Sequence, residues 1–225
     1  MKRREILDES ITPDGERLEL DRTGEIYAIR VGGVLLMTSA TSGSESQMAE
    51  IGAEQVGGRS GARVLVGGLG MGYTLRAVLD RFDDTAEVTV AELLPAVVRF
   101  NRGPVAHLAG EPLMDRRVQL VEGDVRGAIA AGDWDAILLD VDNGPGALTA
   151  ATNAGLYDEA GVARLVRALR PGGVVVVWSV APDDTFLRRL QRAGLIAEAR
   201  RVYARGNVKR GPRHTLFVAT RPGRL

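Results

Sequence analysis

Cysteine is absent from the 225-residue chain. That excludes disulfides, zinc–thiolate centres and thiol nucleophiles, and it fits a reducing compartment. Histidine is scarce, with only His107 and His214. No apolar run approaches the ~20 residues that span a bilayer. The start, "MKRREILDES", turns acidic at once and lacks the apolar centre of a signal peptide. A cytoplasmic protein with no membrane partner is therefore expected. Net charge is missing too, at +0, but it is unevenly placed: from Arg164 onward, 14 Lys/Arg face three Asp/Glu. Arg164, Arg167 and Arg170 follow helical spacing, so a solvated face is expected there rather than nucleic-acid binding.

With 45% hydrophobic and 26% charged residues, the chain can bury a sizeable core. Its length suits one domain with a small appendage. "ERLELDRTGEIYAIRVGGVLLMTS" alternates apolar and polar residues on both sides of Thr23-Gly24, a hairpin signal, and Gly32-Gly33 allows a second turn. Ser44 with Gln47 three residues later resembles a capping box, so a helix is expected over 45–56.

From Ala62 the pattern changes. "RVLVGG", "EVTVAE", "RVQLVEGD", "WDAILLDVD" and "GVVVVWS" are nearly continuous apolar runs, separated by stretches of helical period at 73–82, 95–106, 125–131 and 158–169. Continuous strands are buried on both faces, and strand–helix repetition implies a parallel sheet. After a helix at 183–193, "LIAEARRVYA" and "RHTLFVAT" are joined by a short polar connection and must pair antiparallel. The expected fold is α/β: a doubly wound, mostly parallel Rossmann-like sheet of the class I methyltransferase type. It carries a C-terminal antiparallel hairpin and a small N-terminal β appendage. Residues 1–60 would form the β-hairpin and a linker helix, and residues 61–225 the nucleoside-binding domain.

"VLVGGLGMGYTLRAVLD" (64–80) reads as strand, glycine loop and helix, which lets backbone approach a ligand at a helix N-terminus. Gly68, Gly70 and Gly72 are spaced G-x-G-x-G, with Leu69 and Met71 between them. A dinucleotide fingerprint would place its third glycine at Tyr73, so NAD is the minor reading. The next strand ends in Glu92, followed by Leu93, where an acid can reach ribose hydroxyls. A third strand ends at Asp124, followed by Val125, where an acceptor for an adenine amino group fits. Together these residues form the pattern of an S-adenosylmethionine-type nucleoside site. Asp140 closes a fourth strand at the crevice where such sheets bind ligands, with Asp142 and Asn143 just beyond. Asp140 fits a catalytic or cofactor-binding carboxylate, while Asp142 and Asn143 would line the acceptor side or merely cap the turn.

"VLVGGLGMGYTLRAVL", "VTVAELLPAVV" and "DAILLDVDNGPGALT" resemble the nucleoside loop, second strand and fourth strand of spermidine synthases. The likeness runs over about 62 to 180. It implies a group transfer in which Asp140 deprotonates or orients an attacking amine. The family's loop aspartate, which holds the aminopropyl amine of decarboxylated S-adenosylmethionine, falls at Met71. Its second loop aspartate falls at Asn143, and "TSGSESQ" replaces the D-E-x-x-Y-H-E stretch that lines the polyamine channel. These departures favour S-adenosylmethionine and methyl transfer to a small acceptor, an amine among the candidates. Aminopropyl transfer from the decarboxylated cofactor to make a polyamine is the alternative, and a non-catalytic nucleoside-binding protein is a further one. No resident metal is expected, because the strand after Asp140 ends in "WSVAP" without ligands. A homodimer is possible.

Overall fold

The β-branched runs read as strands do form one sheet. The computed structural model describes residues 2–141, 144–145, 154–205 and 211–223. Strands β5 (Arg63–Gly67), β6 (Glu87–Glu92), β7 (Val118–Glu122), β8 (Trp134–Leu139) and β9 (Leu169–Ser179) are parallel neighbours. β10 (Ile196–Tyr203) and β11 (Arg213–Thr220) pair antiparallel, and β11 inserts antiparallel beside β9. The order is β10-β11-β9-β8-β5-β6-β7. The chain therefore reverses its winding direction between β5 and β8, and their carboxyl ends frame a crevice.

In the central strands β5, β8 and β9 successive residues alternate between two buried faces. Val64, Val66, Ala136, Leu138, Val174 and Val176 enter one core, while Leu65, Ile137, Leu139, Val175 and Val177 enter the other. Helices α1 (Gly43–Val56), α2 (Tyr73–Arg81) and α3 (Pro95–Asn101) contribute to the first core. Helices α4 (Val125–Ala130), α6 (Glu159–Ala168) and α7 (Asp184–Arg192) contribute to the second, with the short α5 (Ala154–Tyr157) leading into α6. Among the described residues no helix is long and apolar enough to cross a membrane.

The N-terminal segment is a four-stranded antiparallel meander of β1 (Arg4–Ile11), β2 (Arg17–Thr23), β3 (Ile26–Val31) and β4 (Val34–Thr38). Both expected turns are present. The first strand was not expected, because "REILDESI" carries more charge than alternation and stays largely exposed. Leu18, Leu20, Tyr27 and Ile29 join the same core as Met48 and Val64, so the meander packs continuously with the large sheet.

The capping-box expectation is corrected. Ser42 occupies the N-cap of α1, and Ser44 lies inside the helix with its hydroxyl turned to other partners. Gln47 donates its amide to the carbonyls of Gly43 and Tyr203 and so does not act as the reciprocal partner of Ser44. The expected helix over 95–106 ends at Asn101, and a 3-10 turn, Ala106–Ala109, follows. The turn at Gly103-Pro104 accounts for the break.

Candidate functional site

The glycine loop follows β5 and opens α2. Gly68, Gly70 and Gly72 have φ of +86°, +52° and +82°. At Gly68 glycine is required twice over, because a Cβ there would stand 2.3 Å from the Asp140 carbonyl oxygen. The Asp140 N–H in turn donates to the Gly67 carbonyl at 2.8 Å. Loop and β8 end are thus locked backbone to backbone. Asn101, itself buried, donates to the Gly70 carbonyl at 2.7 Å and holds the loop from α3.

Glu92 lies beneath this loop and is 7% exposed. One carboxylate oxygen accepts the Leu69 N–H at 2.9 Å and the other the Leu94 N–H at 2.8 Å. Burial pushes its carboxyl upward, while those backbone donors pull it back. A carboxylate has about four lone-pair sites, so ribose hydroxyls could still be accepted beside the two N–H groups. Leu93 is exposed at the rim, and Val125 is buried at the start of α4.

Asp124 caps α4, accepting the Arg126 N–H at 2.8 Å, and its other oxygen accepts from Arg126 Nε at 2.8 Å. That guanidinium holds the Asp124 carboxyl below the usual carboxylate range. Leu69 and Met71 point away from solvent, at 4% and 0% exposure, and Met71 packs in the first core. Its thioether is buried among core side chains beside the loop.

Asp140, expected from the sequence, is joined by a neighbour that the sequence did not single out as a site residue, Glu45. Asp140, partly buried at the end of β8, accepts from Thr74 Oγ1 at 2.9 Å. Glu45 reaches the same region from the first turn of α1. Burial, and then the negative charge of Asp140, raise the Glu45 carboxyl to about 7. Burial likewise raises Asp140. Tyr73, at the start of α2, is raised by burial and by Glu45.

Ser44 ties this pair to the far edge of the sheet. Its hydroxyl donates to Glu45 Oε2 at 2.7 Å, accepts from Trp178 Nε1 at 3.2 Å and meets His214 Nδ1 at 3.0 Å. Trp178 and His214 stack edge to face at 4.6 Å. One local signal pointed to Glu45: it shares a helical stripe with Met48, Ala49 and Gly52, so a carboxylate lies on the buried face. The other site residues meet only through the fold. His107 packs edge-on against Tyr27 at 5.6 Å, away from this cluster. Asp142 and Asn143 lie outside the described residues, while Gly144 presses against Ser179 with φ +93°. Among the described residues no three His, Asp or Glu side chains gather as a metal site.

A doubly wound sheet with one antiparallel strand near its edge and a glycine loop at its winding reversal defines the class I methyltransferase-like architecture. Within that class the chain has a spermidine synthase-like fold. It matches a spermidine synthase in complex with the transition-state analogue AdoDATO at TM-score 0.74 and 16% identity, covering 96% of this chain and 72% of that one. It matches the Thermotoga maritima spermidine synthase at TM-score 0.75 and 16% identity, over the same shares. A probable spermidine synthase from Corynebacterium glutamicum matches at TM-score 0.66 and 17% identity, with 96% and 79% covered. No family model and no curated protein matches the chain.

Proposed function

We propose that the chain transfers an alkyl group from a sulfonium nucleoside to a small amine acceptor. The observation that carries this reading is the Glu45–Asp140 carboxylate pair at the winding reversal, next to the glycine loop. Buried negative charge at that place suits a cationic amine and can take its proton, since only the neutral amine attacks carbon. The sulfonium of S-adenosylmethionine, or of its decarboxylated form, supplies the electrophilic carbon. Gly68 to Gly72, Glu92 and Asp124 would hold the nucleoside and set the carbon in line with the acceptor.

Aminopropyl transfer is the first reading. It is supported by the solved neighbours, which are spermidine synthases, one of them holding AdoDATO. It is supported also by Glu45, which returns a carboxylate to the segment where the family's acidic motif is missing. Methyl transfer from intact S-adenosylmethionine is the second reading. Met71 favours it, because a buried thioether offers no charge for the amine of an aminopropyl arm.

The test is calorimetric titration with S-adenosylmethionine, its decarboxylated form and methylthioadenosine, followed by turnover with a panel of diamines. The mass of the product separates methyl from aminopropyl transfer. Folded protein that binds none of the three nucleosides would overturn the proposal.

A further inference from the structure

We infer that the acceptor enters as an ammonium and expels a proton from the Glu45–Asp140 pair. The proton of each transfer then leaves on binding, before the chemistry. The inference rests on the transferase reading above, but proton release on amine binding is measured without turnover.

Two acids meet here without a base. Glu45 is 9% exposed, and its side-chain partner is the neutral Ser44 hydroxyl. Asp140 likewise meets a neutral hydroxyl, that of Thr74. Among the described residues no cation acts on either carboxyl. Buried acids elsewhere in the chain are treated differently. Glu19 and Asp21 are held by Arg4, and Asp135 by Arg59 and Arg170.

Two buried charges of one sign, with no cation between them, do not both ionise near neutral pH. The pair therefore keeps a proton. Burial first, and the Asp140 charge second, keep it on Glu45 up to about pH 7. The Ser44 hydroxyl supports both forms of Glu45, since it can donate to the carboxylate or accept from the carboxyl. The other elements around α1 bring no competing charge. Tyr73 of α2 stays a neutral phenol, raised by burial and by Glu45. Trp178 of β9 is uncharged, and Tyr203 of β10 offers its backbone carbonyl to Gln47. His214 of β11 is lowered by burial and meets Ser44.

An ammonium placed against this pair supplies the missing positive charge, and a carboxyl beside an opposite charge gives up its proton. The cycle then balances. Glu45 releases its proton to water as the ammonium binds. The bound ammonium passes a proton to Glu45, and the freed nitrogen lone pair forms its bond to carbon. The carbon–sulfur bond breaks, and its electron pair stays on the thioether sulfur. The product is again an ammonium, and Glu45 again carries the proton with which it began. A single proton has entered solvent, as the conversion of an ammonium and a sulfonium into an ammonium and a thioether requires.

Calorimetry in two buffers of different ionisation enthalpy counts the protons. Putrescine and butylamine are titrated into the protein with and without methylthioadenosine, which is uncharged and has no group to transfer. The wild type should release about 0.9 proton per amine at about pH 6, about 0.5 at about pH 7 and about 0.1 at about pH 8. Amine affinity should rise by up to about tenfold per pH unit below about pH 7 and level off above it. Glu45→Gln should bind the amine more weakly and release almost no proton. Asp140→Asn should shift the release to lower pH, because part of what lifts Glu45 is gone. Amine binding without proton release in mildly acidic buffer, or equal release from Glu45→Gln, overturns the inference. So does a folded protein that binds neither amine. Turnover without such release refutes the inference alone and leaves the transferase reading intact. Release with both amines, but no nucleoside binding and no turnover, refutes that reading and keeps the pair as a proton-linked amine site.

Discussion

Glu45 of α1 and Asp140 of β8 hold their negative charges in one buried region, and the charge of Asp140 helps lift the Glu45 carboxyl to about 7. A carboxyl whose pKa is raised on folding contributes stability that is complete below the ordinary carboxylate range. That contribution is lost as pH rises through about 7. The fold should therefore weaken between mildly acidic and mildly alkaline pH. Glu45→Gln removes the ionisation and keeps an acceptor for Ser44, so near pH 8 it should stabilise by up to about 3 kcal/mol. Melting temperatures of both proteins across this range would decide it. A variant no more stable than wild type at alkaline pH rules the charge coupling out.

Glu92 carries the glycine loop from below through the Leu69 and Leu94 N–H groups. Glu92→Ala leaves both buried donors without partners, at a cost of about 1–3 kcal/mol each where water cannot reach them. Stability and nucleoside affinity should fall together, as seen by denaturant unfolding and calorimetry. A variant with a loosened fold but wild-type affinity would confine Glu92 to a structural role.

Much of this fold was legible because its signals are local. The strands around Val66 and Leu138 hold unbroken apolar runs, 64–66 and 136–139, which burial on both faces explains. Gly68 and Asp140 could be placed because strand ends at a winding reversal have a fixed meaning. The cluster around Ser44 was not legible, for the opposite reason. Ser44 meets Trp178 and His214 across 134 and 170 residues of chain, and no periodicity encodes such a contact. Ser44 even misled, since a serine followed by Gln47 imitates a cap when its true partners are out of sight. The Met71 side chain went to the core because its place in the loop faces inward, which spacing alone does not reveal.

Asp135 tests how buried charge contributes at the opposite end of β8. It is 1% exposed and accepts from the Arg63 N–H and from Arg170 Nη1, both at 2.9 Å, and from Arg59. Asp135→Ala leaves two guanidiniums and a backbone donor without their shared acceptor. The two side chains remain partly in water, which places the expected loss near the lower end for a broken buried pair, about 2–3 kcal/mol. The exposed Arg22–Glu5 pair is the control. Glu5→Gln should change stability by less than about 1 kcal/mol. Equal effects in urea unfolding would show that burial does not distinguish the two.

Arg126 offers the sharpest check on the adenine side. Its guanidinium occupies the Asp124 oxygen that an adenine amino group would need, while the other oxygen caps α4. The pair is about half exposed, so it contributes at most about 1 kcal/mol. Ligand binding must displace or share it. Arg126→Ala should thus free the carboxylate, keep the cap and tighten methylthioadenosine binding by up to about fivefold. The gain should shrink as salt screens the pair in the wild type. Asp124→Asn, which weakens both the acceptor and the cap, should bind less tightly. If Arg126→Ala instead loses affinity, the guanidinium itself faces the base, as a stacking or cation–π partner. Asp124 would then be the residue that positions Arg126, and the assignment of the adenine acceptor would fall.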